Sequence, residues 1–111
     1  MILEPGEVVL IRIDFNQTPG GKLRPAAVLL DTGDDDFVAA PVTSSFRTSR
    51  FDVPISEWQA AGLNTNSTIR AHKLTVLAKA EIVRQLGRLT APDLRALAET
   101  LRHAFTLKPG P

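Results

Sequence analysis

The most constraining pattern in this 111-residue chain lies near its end. Leu94, Leu97, Ala98, Leu101 and Phe105 recur at i, i+3, i+4, i+7 and i+11, which places them on one stripe of an α-helix. Ahead of them, Thr90-Ala91-Pro92-Asp93 has a hydroxyl at the cap and an acid three residues on, the capping-box spacing. An acid there also faces the positive end of the helix dipole. Lys108-Pro109-Gly110-Pro111 ends the helix in a frayed tail, so the expected division is one domain over 1–106 and a tail over 107–111. A helix with one apolar stripe must cover a surface made elsewhere, and the preceding residues read as strands.

Five or six strand-like stretches come before the helix. Glu7 to Phe15 mixes apolar residues on both parities, as in a strand partly buried on both faces. Pro25 to Leu30 and Phe37 to Val42 follow, joined by an Asp31–Asp36 turn, and the three predict an antiparallel meander. Between the first two, Asn16 to Leu23 holds a proline and two glycines, a mobile loop able to close over a substrate. Phe51 to Ile55 alternates, and its Pro54 predicts an edge position or a strand end. Ser56 to Gly62 fits one helical turn closed by glycine. Thr68 to Leu77 and Ile82 to Leu89 complete the set, the latter interrupted by Gly87. Strands followed by one helix predict a mainly β, α+β fold or small barrel rather than a βαβ sheet.

Composition removes several functions. Leu, Ile, Val and Phe account for 33 residues, about 30% of the chain against roughly 20% or less in disordered ones, so a packed core is available. The chain has no cysteine, hence no disulfide, thiolate metal site or Cys nucleophile. No apolar run reaches the roughly 20 residues of a membrane span, and the N-terminus is not patterned as a signal peptide. A net charge of +1 confines any polyanion site to a local patch. Gly20-Gly21-Lys22 lacks the other residues of a phosphate loop, and Asp31–Asp36 lacks the spacing of a calcium loop. His72 and His103 are too far apart for a helical metal pair, and no nucleophile-elbow motif occurs. No metal or cofactor is expected. Trp58, the single tryptophan, is assigned to core or dimer packing.

Three segments carry chemistry. Lys22-Leu23-Arg24-Pro25 sets cations at a strand entrance, with Pro25 biasing Arg24 to an extended backbone. Thr43, Ser44 and Ser45 put three hydroxyls at the end of a buried strand, with Arg47 and Arg50 just beyond. In Ile69-Arg70-Ala71-His72-Lys73-Leu74 the alternation places Arg70 and His72 on one strand face. Each alone reads equally well as a polar strand end. Together they hold what RNA cleavage by its own 2′-OH requires: a histidine as base or acid, arginines for the phosphorane, and a hydroxyl donor in Thr43.

The order of these pieces resembles the MazF/PemK/Kid family of toxin endoribonucleases. The resemblance runs from Pro5-Gly6-Glu7-Val8-Val9-Leu10 to the C-terminal helix. It is carried by Gly21-Lys22-Leu23-Arg24-Pro25-Ala26, Ala40-Pro41-Val42-Thr43-Ser44, Asp52-Val53-Pro54-Ile55 and Val83-Arg84-Gln85-Leu86-Gly87-Arg88-Leu89. It implies a small SH3-like barrel of the MazF/CcdB type with a C-terminal helix, usually a homodimer, in the bacterial cytoplasm. It further implies metal-independent, sequence-specific cleavage of single-stranded RNA and inhibition by a cognate antitoxin. Arg24, Thr43, Arg70 and His72 would be the catalytic set, with Lys22, Ser44, Ser45, Arg47, Arg50 and Lys73 binding RNA. Where family members with an arginine at position 70 carry aspartate two residues later, this chain has His72. That difference leaves open an active enzyme with a histidine base, or an inactive antitoxin-binding homologue. A gyrase-binding toxin of the CcdB type is the other alternative, though the C-terminal end lacks that group's tryptophan.

Overall fold

A computed structural model describes residues 1–13 and 21–110. Among the described residues, seven strands precede one helix: β1 (Glu7–Ile13), β2 (Lys22–Asp31), β3 (Asp36–Thr43), β4 (Asp52–Pro54), β5 (Thr68–Arg70), β6 (Thr75–Ala78) and β7 (Ile82–Arg88), then α1 (Ala91–Ala104). A single 3-10 turn at Lys79–Glu81 links β6 to β7. The antiparallel sheet runs β4-β5-β3-β2-β1-β7, with β6 also on β3. The meander of β1 to β3 and the edge position of β4 agree with the sequence. The sheet does not close into a barrel: among the described residues, no pairing joins β4 to β7. Most of the loop expected at Asn16–Leu23 falls on residues 14–20, outside those described.

Both faces of the meander are covered. Val8, Ala27, Ala40, Val42, Ile69 and Leu97 belong to one apolar cluster, on which Trp58, Leu94 and Leu101 also pack. Val9, Ile11, Ala26, Val28, Phe37 and Ala39 form a second, closed over by Leu77 and Ile82. Adjacent residues of one strand thus enter different cores, which explains the imperfect alternation of β1.

Three local expectations are corrected. The stretch from Thr68 to Leu77 is two strands, not one, so Arg70 and His72 do not share a strand face. β5 ends at Arg70, whose carbonyl accepts the Lys73 N–H at 3.1 Å, while the Ala71 N–H reaches the Phe51 carbonyl at 3.0 Å. These bonds turn the chain within four residues. The Thr90 hydroxyl does not cap α1. Asp93 accepts the Thr90 hydroxyl only at 3.4 Å, and binds more closely the Ser56 hydroxyl at 2.7 Å and the N–H groups of Ser56 and Glu57 at 3.1 and 3.0 Å. Lastly, Ala98 and Phe105 of the predicted stripe are exposed, and only Leu94, Leu97 and Leu101 engage the core.

The Ser56–Gly62 turn is closed as expected. Leu63 N–H donates to the Trp58 carbonyl and Gly62 N–H to that of Gln59, both at 3.0 Å, with Gly62 at φ +86°. This is the Schellman pattern. The turn is pressed onto β7: a Cβ at Gly62 would lie 2.0 Å from the Leu86 carbonyl oxygen, and one at Gly87 2.5 Å from that of Ala61.

Candidate functional site

Polar side chains of β2, β3 and β5 line two adjoining depressions. An open depression of about 310 Å³ is lined by Arg24 of β2, Thr43 of β3, and Ser45 and Arg47 of the following loop, over a floor of Ile13, Pro41 and Val42. Next to it, a depression of about 490 Å³ is lined by Arg70, His72, Lys73 and Thr75. Ile13 and Pro41 line both, so the two are chambers of one groove. Arg24 and Arg70 stand in separate chambers rather than on one wall.

Each residue is held differently. Arg24 lies opposite Ile11 in the β1–β2 ladder; it is exposed and makes no ion pair among the described residues. Its extended backbone follows from Pro25, which pairs with Leu10 just before the β3 ladder begins at Ala26. There a missing N–H interrupts no bond to β3. Thr43 closes β3 opposite Thr68, and its Oγ1 accepts the Ser45 N–H at 3.1 Å. With a lone pair so used, the hydroxyl proton is free to be donated into the groove.

Arg70 is fixed by a residue absent from the expected set. Asp52 stands directly opposite it in the β4–β5 ladder, and its Oδ1 accepts the Arg70 Nε at 3.0 Å. The other carboxylate oxygen accepts the Ser49 N–H at 2.9 Å. The Asp52 side chain is 1% exposed, against 24% for Arg70. Burial alone would raise the carboxyl's pKa; hydrogen bonds from Ser49 and Arg70 outweigh it and hold the group below the ordinary carboxylate value. Arg70 keeps both Nη groups without hydrogen bonds among the described residues while its Nε is locked.

His72 packs against the ring of Phe51, centroids 5.5 Å apart, and the Arg50 guanidinium covers that ring at 5.0 Å. Arg50 thus lies over Phe51 and lines neither chamber. His72 Nδ1 is buried and has no hydrogen-bond partner among the described residues. Ser44 lines neighbouring depressions rather than the Thr43 chamber, and Lys22 is exposed on β2 away from both chambers. His103 lies on the exposed side of α1, as its place off the stripe predicts. Among the described residues no group of three or more His, Asp or Glu side chains is arranged to hold a metal ion, and no helix is long and apolar enough to cross a membrane.

Asp52 and Phe51 were not legible as site residues. Asp52-Val53-Pro54-Ile55 reads as an ordinary strand, and only the register Asp52↔Arg70 gives the aspartate a cation.

This fold and arrangement belong to a defined class. Residues 4–105 match the family of PemK-like, MazF-like toxins of type II toxin–antitoxin systems, and the chain is a member of it. Among solved structures it is similar to the Mycobacterium tuberculosis toxin MazF-mt6, with 26% identity and a TM-score of 0.75 over 95% of this chain and 99% of that one. It also resembles an endoribonuclease in complex with its cognate antitoxin from a mycobacterial species, with 20% identity and a TM-score of 0.79 over 99% of this chain and all of that one. MazF from Deinococcus radiodurans is 23% identical, with a TM-score of 0.72 over 94% and 96% of the two chains. No curated protein sequence matches the chain.

Proposed function

We propose that this toxin is a metal-independent endoribonuclease that cuts single-stranded RNA in the bacterial cytoplasm at short specific sequences. The observation that carries the reading is the two-chambered groove, with Arg24 and Thr43 in one chamber and Arg70, His72 and Lys73 in the next. A phosphate at the shared floor of Ile13 and Pro41 lies between the two sets.

In the proposed reaction the 2′-oxygen attacks phosphorus, a P–O2′ bond forms and the P–O5′ bond breaks. The products are a 2′,3′-cyclic phosphate and a 5′-hydroxyl. Arg24 and the Nη groups of Arg70 balance the charge of the phosphorane, and Thr43 donates a hydrogen bond to a nonbridging oxygen. His72 takes the 2′ proton or supplies one to the 5′ oxygen. Ser45, Arg47 and Lys73 hold the flanking strand, with Lys22, Ser44 and Arg50 outside the groove proper. A homodimer doubles these cations around the RNA. A cognate antitoxin silences the enzyme by laying an acidic segment along the same groove.

The test is incubation of the purified protein with mixed RNA in EDTA. Cleavage with cyclic-phosphate ends is expected, with Arg24→Ala lowering kcat by about a hundredfold or more. A folded protein that leaves RNA intact, and stays inert as His72→Asp, would overturn the reading in favour of an inactive antitoxin-binding homologue.

A further inference from the structure

Beyond the cleavage groove lies a third depression of about 490 Å³, between the loop after β3 and the loop before β5. Phe46 and Arg47 border it on one side, Thr65 and Asn66 on the other, and Ser49 and Asp52 lie along it. Arg47 and Ser45 line both this depression and the Thr43 chamber, so the two are continuous. The Phe46 ring is 88% exposed, although the chain has only five phenylalanines with which to build its cores. Polar groups surround the ring, so it faces a wet site rather than an apolar protein seam.

We infer that this depression is a base-reading subsite, in which Phe46 stacks an unpaired nucleobase of the RNA while Asn66 hydrogen-bonds its edge. The inference rests on the ribonuclease reading and names what decides its sequence preference. Three properties of the site fit that occupant. An unpaired base presents a flat π-face and a polar edge, and an exposed aromatic beside amide and hydroxyl groups matches both. The Asn66 amide offers donors and an acceptor together, so it can pair with a base edge at two points. Arg47, shared with the cleavage chamber, is placed to hold the phosphate joining this nucleotide to the scissile one. Thr43 and Phe46 are three residues apart, so their Cα atoms are separated by no more than about 10–11 Å. The stacked base therefore flanks the cut.

The subsite is also tied to the catalytic arm. The Asp52 carboxylate binds Ser49 N–H at the end of the Phe46 loop and Arg70 Nε on β5. A base that settles on Phe46 thus presses on a loop anchored to the same carboxylate that aims Arg70. Correct sequence is sensed next to the group that stabilises the transition state.

Phe46 and Asn66 are exposed, so substitutions there leave folding intact. Phe46→Ala is expected to lower kcat/KM on long RNA by about tenfold to a hundredfold, the span of a single stacking contact. Phe46→Trp should restore it, and Asn66→Ala should relax the preferred base at one position beside the mapped cut. Adding a noncleavable 2′-O-methyl oligonucleotide of mixed sequence to Phe46→Trp should quench the introduced indole above the Trp58 background. Quenching without cleavage by the wild type would sustain the subsite and sink the nuclease. Cleavage with an unchanged cut-site profile in Phe46→Ala and Asn66→Ala, or an indole indifferent to the oligonucleotide, would overturn the subsite. Quenching by an acidic peptide but not by the oligonucleotide would reassign the surface to a protein partner.

Discussion

Asp52 shows how much one buried carboxylate can organise. Removing it leaves Arg70 without its Nε partner and the Ser49 N–H without an acceptor. Asp52→Ala is expected to cost about 2–4 kcal/mol in urea denaturation, the range for breaking a largely buried pair, less a discount for the partial exposure of Arg70. If Arg70 stabilises the transition state as proposed, the variant should also lower kcat more than it raises KM; Asp52→Glu should recover part of both. The acidic limb of stability follows from the same chemistry. Hydrogen bonds from Lys79 and from the Leu3 and Gly33 N–H groups pull Asp31 down to about 2, and Asp52 and Asp93 are also held below the ordinary value. The unfolded chain protonates these groups first, at about pH 4. Their stabilisation is therefore complete above that pH and is lost as pH falls through the lower folded-state values. Urea midpoints should drop steeply between about pH 5 and 2, and Asp31→Asn should flatten that drop. Arg24, Thr43 and Ser45 could be nominated from residue type and strand position. Asp52 could not, because its role is a register partnership with Arg70, 18 positions further along the chain.

Among the elements, the Ser56–Gly62 turn and β7 are locked by mutual absence of side chains. Gly62→Ala meets the Leu86 carbonyl at 2.0 Å and sits at φ +86°; Gly87→Ala meets the Ala61 carbonyl at 2.5 Å. Each is expected to destabilise by about 2–4 kcal/mol, combining overpacking with any left-handed strain. The double variant should lose less than the sum, since both report on one contact. Gly33→Ala, at φ +88° with open space around it, is the control, expected near 1 kcal/mol. Asp93 secures the other side of the turn by joining α1 to Ser56 and Glu57. The sequence showed a capping box at Thr90 because Asp93 has the right spacing. Tertiary contact redirected it: the carboxylate keeps a 3.4 Å bond from the Thr90 hydroxyl, but three donors on a neighbouring loop take the place of the Thr90 backbone N–H that a capping box would use. The break between β5 and β6 was likewise hidden. Residues 69–74 alternate like a strand, and only the bonds Ala71 N–H to Phe51 and Lys73 N–H to Arg70 turn the chain.

For the molecule as a whole, the proposed function depends on how charge is distributed rather than on its total. The net charge is +1, yet Arg24, Arg47, Arg70 and Lys73 all line the two groove chambers. Binding of a noncleavable single-stranded oligonucleotide should weaken steeply with salt. Arg47→Ala should reduce the slope of log K against log salt by about 0.7, one phosphate's worth for a single strand. Fluorescence anisotropy at several ionic strengths measures this, and an unchanged slope would place Arg47 off the RNA path.

Chain order alone establishes the strand run, the closing helix, the glycine-closed turn and the residue types able to handle a phosphate. These are local properties: periodicity, backbone allowance at glycine and proline, and side-chain chemistry all act within a few residues. Only the folded sheet establishes that Arg24 and Arg70 occupy adjoining chambers, that among the described residues β4 and β7 do not pair with each other, and that Phe46 faces outward across a depression from Asn66. Those outcomes depend on register and bend, which sum weak preferences over contacts far apart in the chain and cannot be read from any one stretch of it.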